Sequence, residues 1–267
     1  MNNNNNHIVT WSQKELHFWC QKTGKRIGSR KVIDITGIHT QIITVAFSHR
    51  WRLYMVVTAD FKMYFINELL YIVDCIDMSS IRLVNFVYFN DKDGTVITAG
   101  IDGVFVFKFN YQSKYQPILA VQIDQEGKHI KVSLENKTPL EKMCIWVKGL
   151  KVDEKNEIII SWNQGKLCFN HLNGSKAGKL IFCLKDLTGP EISITDVVIN
   201  MENRYFHTGT SSGQILVWKY DTSKKQLHEF QGHFKAVSCL MPVKGEPDLL
   251  LSASLDSTIR IWSLDTF

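Results

Sequence analysis

The chain has 267 residues, of which 45% are hydrophobic and 21% are charged, enough for a sizeable core and for one or two domains. Its 31 basic and 26 acidic residues are scattered and leave a net charge of +5, which does not indicate a nucleic-acid-binding tract. No apolar stretch approaches the roughly 18 residues of a membrane span, and the first residues lack the features of a secretory signal.

The chain begins with an asparagine run, residues 2–6, which we interpret as a low-complexity lead-in. Short apolar runs then predict strands at residues 7–11 and 16–19, followed by an outer strand at residues 25–35. This first unit lacks the innermost strand that later units show. The basic cluster at residues 22–31 is interpreted as a solvated outer strand, with binding of an anionic partner as the alternative.

The next two units show the pattern more fully, as short apolar runs separated by turns. The second unit turns at Ala59-Asp60-Phe61. In the third unit, Asp102-Gly103 between two apolar runs is a strong hairpin signal. The predicted strands are residues 42–47, 54–58, 62–66 and 71–76 in the second unit, and residues 83–88, 96–99 and 104–108 in the third.

An insertion is predicted at residues 110–141, because the spacing between neighbouring units is longer there than elsewhere. Residues 118–123 are apolar enough to form the outer strand of the third unit, and residues 125–142 would then be a projecting loop or an extra hairpin. Long insertions in repeat folds lie at the surface and often carry binding sites. Decoration without a binding function is the alternative.

Three further units occupy the second half of the chain, and the last, residues 232–262, is the clearest. Pro242 and Pro247 predict a break between its first two strands. This unit stops before any fourth strand. The predicted strands of the three units are residues 144–152, 158–162 and 166–170, then 194–199, 205–208 and 214–219, and finally 236–241, 249–253 and 258–262.

An aromatic residue marks the third strand of every unit. One unit of four strands about every 40–45 residues is typical of a β-propeller blade, because stacked blades cover the faces that a single small sheet leaves exposed. We therefore predict an all-β fold, a single β-propeller domain over residues 1–267 with six recognisable blades, the first and last incomplete. The marker residues are Trp19, Phe65, Phe107, Phe169, Trp218 and Trp262.

These repeats resemble the WD40 repeat family, whose unit runs from a Gly-His pair to a Trp-Asp pair. The last unit matches closely through Gly232-His233, the segment SASLD and the segment IRIW. The resemblance implies that His233, Ser252, Asp256 and Trp262 form a structural hydrogen-bonded chain within the blade. Such a chain is physically reasonable, because buried polar groups need partners and a linked set of them rigidifies a core.

The other units depart from the full pattern. Trp218 is kept in the fifth unit, but Ser212 stands where the aspartate is expected, and phenylalanine replaces tryptophan at positions 65, 107 and 169. Asp60 and Asp102 keep the turn aspartate in the second and third units. WD40 propellers typically have seven blades closed by strands from both chain ends. The resemblance therefore implies part of a seven-bladed or larger propeller, and we expect the natural chain to continue beyond Phe267.

No site for chemistry is predicted. The nine histidines do not combine with cysteines or acids into the complete paired spacing of a metal site, and no nucleophile motif or glycine-rich phosphate loop occurs. The six cysteines form no CxxC pair and several lie in apolar runs, which favours a reducing, intracellular and cytoplasmic location. We predict a protein that is not an enzyme, with no catalytic residue, cofactor, metal or small-molecule substrate.

Binding is the function that remains, and in WD40 propellers the turns at one rim carry it. We predict a non-enzymatic scaffold that binds other proteins of a multiprotein complex, with no membrane partner. A substrate-recognition subunit of a ubiquitin ligase or other enzyme complex is one alternative, and a nucleic-acid-associated propeller is another. Local packing is the alternative role for Phe234. The resemblance implies this candidate protein-binding rim: Phe61, Ile101, Ser211, Phe234, Lys235 and Leu255.

A narrower resemblance concerns the process in which the protein takes part. The degenerate blades, together with the segment TAGIDGVFVF at residues 98–107, resemble large WD-repeat proteins of cilia and flagella. This resemblance implies a cytoskeletal location, at a cilium or axoneme.

Overall fold

The computed structural model describes residues 7–49, 51–69, 71–78, 84–92, 94–101, 103–110, 116–123, 129–132, 147–172, 176, 178–243 and 245–264. Within these ranges nearly all regular structure is β-strand, and one short helix occurs, α1 (Val32–Thr36). No helix in the described ranges combines the length and the hydropathy that crossing a membrane requires.

The chain divides into two compact units, residues 1–120 with 131–144, and residues 121–130 with 145–267. Across the described residues, the strands form six small sheets, and neighbouring strands in each sheet are also consecutive in the chain. This up-and-down order follows from the short turns between the apolar runs, which allow antiparallel pairing. The predicted all-β class is therefore confirmed.

Over the described ranges, the first three sheets contain twelve strands, and the first ten of these strands lie in the first unit. Their strands are β1 (His7–Trp11), β2 (Glu15–Cys20) and β3 (Arg26–Lys31); β4 (Ile42–Ser48), β5 (Leu53–Thr58), β6 (Lys62–Asn67) and β7 (Ile72–Asp77); β8 (Val84–Asn90), β9 (Thr95–Gly100), β10 (Gly103–Asn110), β11 (Gln116–Ile123) and β12 (His129–Val132).

Three further sheets belong to the second unit, and the last of them has three strands in the described residues. Their strands are β13 (Gly149–Asp153), β14 (Ile158–Trp162), β15 (Leu167–His171) and β16 (Leu180–Leu184); β17 (Ile194–Asn200), β18 (Tyr205–Thr210), β19 (Ile215–Lys219) and β20 (Gln226–Phe230); β21 (Val237–Val243), β22 (Glu246–Ser254) and β23 (Ile259–Ser263).

Two sequence-based expectations about strand ends are wrong in their extent. The outer strand expected at residues 25–35 ends at Lys31, and α1 follows it directly. The break expected from Pro242 to Pro247 is present but shorter, because β21 runs through Pro242 to Val243 and β22 begins at Glu246. An edge strand tolerates proline, since a missing N–H can face away from the neighbouring strand. The pairing shifts register between Pro242 and Val243.

The predicted outer strand of the third unit is present as β11, and β12 adds a fifth strand to that sheet. The outer strands β16 and β20 of the fourth and fifth sheets had no counterpart in the sequence-based assignment. Asp102 and the remainder of the predicted insertion at residues 111–115, 124–128 and 133–141 lie outside the described residues.

The second strand of a sheet is the most deeply buried one. All six residues are buried in each of β5, β9 and β18. Clusters of apolar side chains lie between adjacent sheets within each unit, such as the one in which Phe169 meets Phe206 with ring centroids 5.4 Å apart. Packing of neighbouring sheets thus excludes water from the apolar faces of each sheet. This burial of apolar surface supplies most of the stabilising free energy.

One buried carboxylate joins the first strands of three sheets in the second unit. Asp196 in β17 is 2.7 Å from the Lys151 Nζ of β13, and its side chain is 8% exposed. The backbone N–H of Leu240 in β21 donates to Asp196 Oδ2 at 2.6 Å, and Lys151 also donates to the Leu240 carbonyl at 3.3 Å. Asp196 therefore fixes the spacing of β13, β17 and β21.

We expect the substitution Asp196→Ala to lower the free energy of unfolding by about 2 kcal/mol, because it leaves the buried N–H of Leu240 without its acceptor. The matched control is Glu202→Ala. Glu202 pairs with Lys155 between the same two sheets, but both side chains are mostly exposed, so its loss should cost at most about 0.5 kcal/mol. Chemical denaturation measures both values, and equal losses would show that Asp196 has no special role.

Candidate functional site

The structure brings His233, Ser252, Asp256 and Trp262 into one hydrogen-bonded chain. His233 lies just before β21, Ser252 in β22, Asp256 in the turn after it and Trp262 in β23. His233 Nδ1 is 2.8 Å from Asp256 Oδ2, and His233 Nε2 is 2.7 Å from Ser252 Oγ. Trp262 Nε1 donates to the same Ser252 Oγ at 2.8 Å. The chain thus links β22, β23 and the turn between them to the segment that precedes β21.

The direction of each hydrogen bond follows from the two ends of this chain. The indole of Trp262 only donates and the carboxylate of Asp256 only accepts. His233 therefore donates from Nδ1 to Asp256, and its Nε2 accepts from the Ser252 hydroxyl, whose oxygen accepts from Trp262. A neutral imidazole satisfies every partner in this arrangement. Because no donor or acceptor in the chain is left over, it has the character of a structural network.

Asp256 is the most strongly held member of the chain. Burial opposes ionisation of its carboxyl, but hydrogen bonds from the Thr258 hydroxyl, from His233 and from the backbone N–H groups of Thr258 and Phe234 outweigh burial. Together they hold the pKa of Asp256 well below its ordinary value. The carboxylate is therefore charged at neutral pH and keeps the turn closed.

The same carboxylate positions exposed side chains at the surface. The Phe234 N–H donates to Asp256 Oδ2 at 3.3 Å, and the Leu255 N–H donates to the Ala236 carbonyl at 2.9 Å. The side chains of Phe234 and Leu255 are nevertheless 70% and 65% exposed, and Lys235 beside them is also exposed. A rigid backbone thus carries two large apolar side chains that nothing in the described residues covers.

Ser211 lies in the turn after β18, next to this surface. Its N–H donates to the Ser193 carbonyl, and its hydroxyl accepts from the Ser193 N–H. Gly213 in the same turn has a positive φ of 92° and lies against the His233 carbonyl, where a side chain would collide. Four of the six expected rim residues therefore lie in the second unit, on three neighbouring segments: the turn after β18, the segment before β21 and the turn after β22. We call them the rim patch: Ser211, Phe234, Lys235 and Leu255.

The other two expected rim residues, Phe61 and Ile101, belong to the first unit. They lie in the turns after β5 and β9. Phe61 has a positive φ of 60° and is 41% exposed, whereas Ile101 is half-buried. Thr40, which precedes β4, donates to Asp60 beside Phe61 at 3.1 Å. This bond joins the segment before a sheet to its central turn, as His233 and Asp256 do in the last sheet.

Two partial versions of the hydrogen-bonded chain were missed in the sequence. Trp19 Nε1 donates to Thr10 Oγ1 at 2.8 Å in the first sheet, and Trp218 Nε1 donates to Thr208 Oγ1 at 2.9 Å in the fifth. The threonine precedes its tryptophan by nine or ten residues, because the two side chains lie on one face of paired strands. The sequence does contain a signal for these hydrogen bonds, which is a serine or threonine nine or ten residues before each marker tryptophan.

Sheets whose marker is phenylalanine have no indole N–H to donate at that point. The equivalent position lies two residues beyond the residue that pairs with the marker. It is Val57 for Phe65 and Thr98 for Phe107. Thr98 is fully buried, and its hydroxyl has no hydrogen-bond partner among the described residues. Val57 is apolar and so needs no hydrogen-bond partner from Phe65. Thr98 retains a hydroxyl to which Phe107 cannot offer a hydrogen bond.

In the fourth sheet, where the marker is Phe169, the equivalent position holds Trp162, two residues beyond Ile160, which pairs with Phe169. Its ring lies over Gly149 of β13, which pairs with it, so closely that any side chain at Gly149 would overlap the indole. Trp162 Nε1 is buried and has no hydrogen-bond partner within the described residues. Both strands therefore carry a large aromatic side chain here, and Gly149 provides the space for Trp162.

A cavity of about 780 Å³ lies between the fourth, fifth and sixth sheets of the second unit. Apolar residues such as Val198, Leu250 and Leu264 line it, and Lys155 lies at its edge. His207 of β18 also lines it and is 1% exposed, with neither ring nitrogen hydrogen-bonded among the described residues. Burial lowers the pKa of His207 to about 4, so the ring is neutral at pH 7.

Groups of three or more histidine, cysteine, aspartate or glutamate side chains that could hold a metal ion do not occur in the described part of the chain.

We expect Ser252→Ala and Thr98→Val to have opposite effects on stability. Ser252→Ala leaves the buried Trp262 N–H and His233 Nε2 without a partner, which should lower the free energy of unfolding by about 2 kcal/mol. Thr98→Val removes a hydroxyl with no observed partner at nearly constant volume, so the free energy of unfolding should stay the same or rise. Urea denaturation compares the two variants, and a larger loss for Thr98→Val would contradict this assignment.

We expect stability to fall with pH below about 6.5 because of His207. Its pKa is near 6.5 unfolded and about 4 folded, so in that window the unfolded chain binds the extra proton. The contribution to the free energy of unfolding is therefore complete above pH 6.5 and decreases by at most about 1.4 kcal/mol per pH unit down to pH 4. His207→Leu should remove this component from the pH profile. An NMR titration of His207 near pH 6.5 in the wild-type protein would contradict it.

Comparison with known proteins identifies the last sheet. The family model for WD40, described as "WD domain, G-beta repeat", matches residues 224–263, which include the complete hydrogen-bonded chain. Protein ROOT INITIATION DEFECTIVE 3 of Arabidopsis thaliana is 39% identical over 75 residues, covering 28% of this chain and 17% of that protein.

Two further relatives align over longer stretches. The tRNA (guanine-N(7)-)-methyltransferase non-catalytic subunit wdr4 of Danio rerio is 28% identical over 165 residues, covering 56% of this chain and 38% of that protein. Cilia- and flagella-associated protein 52 of Homo sapiens is 27% identical over 108 residues, covering 40% of this chain and 16% of that protein. This chain therefore spans well under half the length of these relatives.

The matched repeat and the recurring antiparallel sheets lead to one conclusion. Small antiparallel sheets of three to five strands, each with an aromatic marker residue, recur through both units and have the organisation of propeller blades. The chain thus contains a WD40 repeat at residues 224–263, and its other sheets resemble the blades of WD40 propellers.

Proposed function

We propose that this chain is a non-enzymatic scaffold that binds another protein through the rim patch and so takes part in assembling a multiprotein complex. The observation that carries the proposal is the buried Asp256 carboxylate, which accepts from the Phe234 N–H and so anchors the exposed turn from inside the blade. WD40 repeat proteins are generally protein-interaction scaffolds, and the relative from Danio rerio is named as a non-catalytic subunit.

The composition of the rim patch suits a protein partner. Phe234 and Leu255 are large, apolar and exposed, and Lys235 and Ser211 add polar groups beside them. Interfaces concentrate their binding free energy in a few apolar or aromatic anchors surrounded by polar groups that exclude water. The patch has this arrangement, with Phe234 as the anchor.

Rigidity adds to the suitability of the patch. Association loses free energy whenever a loop must be ordered on binding, and a backbone that is already fixed avoids this loss. Here the hydrogen bonds of Asp256 and Leu255 fix the segment before β21 and the turn after β22 before any partner binds. The hydrogen-bonded chain therefore contributes to binding indirectly, through the surface that it holds in place.

A ciliary or axonemal complex is the specific setting that we propose for this scaffold. The support is the similarity to a human protein named as cilia- and flagella-associated. The location that follows is cytoplasmic and cytoskeletal.

A second candidate is a non-catalytic subunit of an RNA-modifying enzyme complex. It is favoured by the 165-residue alignment with the non-catalytic subunit of a tRNA methyltransferase. RNA binding would weaken steeply with added salt, because each phosphate contact releases counterions. Binding of tRNA that is absent even at low salt would remove this candidate.

We expect Phe234→Ala to reduce recovery of the partner proteins at least tenfold when the natural full-length protein is affinity-purified and analysed by mass spectrometry. The reason is the loss of the anchor side chain, which is typically worth about 2 kcal/mol or more in an interface. The matched control is Leu227→Ala, an exposed apolar residue on β20 of the same unit. Both variants should keep the wild-type unfolding temperature.

Three outcomes of this comparison are informative. Axonemal proteins lost only with Phe234→Ala support the ciliary scaffold, and ligase or methyltransferase subunits lost in the same way support an enzyme-complex subunit. Equal recovery of the same proteins with Phe234→Ala and Leu227→Ala would rule out the rim patch as the binding surface.

A further inference from the structure

Two cysteines face each other across neighbouring strands of the fourth sheet. Cys168 of β15 pairs directly with Cys183 of β16 in an antiparallel register. The pairs on either side, Leu167 with Leu184 and Phe169 with Phe182, are regular, so the two thiols are held opposite one another. Their Sγ atoms are 2.7 Å apart. Only a small movement of the backbone would be needed for the two sulfur atoms to form a disulfide bond.

The two thiols differ in their access to solvent. Cys168 is 5% exposed, whereas Cys183 is half-buried and lies on the outer strand of its sheet. A dissolved reagent therefore meets Cys183 first. Cys168 is shielded from the reagent but lies next to the sulfur that has reacted. This is the arrangement of an attacking and a resolving cysteine.

We propose that Cys168 and Cys183 are a reversible thiol-modification site, which forms a cross-strand disulfide by exchange with a small-molecule disulfide such as oxidised glutathione. Directly opposed residues on antiparallel strands have Cβ atoms about 4.5–5.5 Å apart, and disulfides need about 3.5–4.5 Å, so a small approach of the two strands is sufficient. The reaction requires no other residue of the chain.

The exchange proceeds in two steps. The Cys183 thiolate attacks one sulfur of oxidised glutathione, which forms a mixed disulfide and releases one glutathione thiolate. The Cys168 thiolate then attacks the Cys183 sulfur, which forms the protein disulfide and releases the second glutathione thiolate. The two protein thiols lose two electrons and two protons in total, and one molecule of oxidised glutathione becomes two molecules of glutathione.

The bond would fasten the outer strand of the fourth sheet. β16 is hydrogen-bonded on one side only, to β15, and edge strands open more readily than central ones. A covalent link between the two strands restricts this opening and closes a loop through residues 169–182. Oxidation should therefore raise the unfolding temperature and slow amide hydrogen exchange in β16. Reduction should reverse both changes.

Other cysteines of the chain serve as internal controls. Cys20 has its pKa lowered, first by a hydrogen bond from the Thr23 side chain, so its thiolate is readily formed. Cys75 and Cys239 are exposed. Each lies on a different sheet from the proposed pair. They should take up glutathione as stable mixed disulfides, because no second thiol in their own sheets is placed to resolve them.

The experiment treats the reduced, folded protein with oxidised glutathione, blocks remaining thiols by alkylation and maps cysteines by mass spectrometry. We expect a peptide linked through Cys168 and Cys183, with no glutathione on either residue, while Cys20 carries glutathione. Cys168→Ser should retain glutathione at Cys183. In the Cys183→Ser variant, the shielded Cys168 should remain mostly unreacted in the folded protein and should be alkylated only after unfolding. Dithiothreitol added to the folded protein should restore both thiols.

Several results would overturn the proposal. One is glutathione that persists on Cys183 in the wild-type protein, since this would show that Cys168 cannot reach the mixed disulfide. Another is a pair of thiols that stays reduced while Cys20 and Cys239 react. A link that dithiothreitol reduces only after unfolding would disprove reversibility. An oxidised protein with the linked peptide but no change in exchange of β16 amides would show that the bond does not fasten that strand.

Discussion

Each small sheet of this protein has two apolar faces, and the need to bury both governs the rest of the structure. The second strand shows the constraint most clearly, because β5, β9 and β18 are buried along their whole length. A strand of this kind is stable only between two neighbouring sheets. Large aromatic residues fill the space between sheets at Phe65, Phe107, Phe169 and Trp218. This explains why phenylalanine can replace tryptophan there while the sheet persists.

The hydrogen-bonded chain is a refinement of this apolar packing. Only the last sheet has all four members, and the first and fifth keep the tryptophan and its hydroxyl partner. Thr98 retains a hydroxyl beside Phe107, and Val57 beside Phe65 has none. Loss of the indole therefore leaves either an unsatisfied polar group or an apolar replacement. What the complete version adds is control of an exposed turn, since Asp256 binds the backbone of Phe234.

The periodic aromatic residues and the turn residues were sufficient to predict the all-β class and most inner strands, because inner strands are buried and strongly apolar. Outer strands are harder to predict: β20 is largely exposed, so its sequence shows no clear alternation. Proline was interpreted as a residue that ends a strand, but Pro242 lies on an edge strand, which tolerates it. The threonine partners of Trp19 and Trp218 depend on strand register, and the cysteine pair depends on β16, which was not predicted.

The carboxylate of Asp196 has a consequence for how the second unit unfolds. It receives hydrogen bonds from β13 and from β21 while lying in β17, so opening any one of the three sheets deprives a neighbour of a buried partner. Repeat proteins whose modules meet only through apolar contact often lose terminal repeats one at a time, as a sum of nearest-neighbour terms. A shared buried charge opposes such gradual fraying. We therefore expect the fourth, fifth and sixth sheets to unfold together.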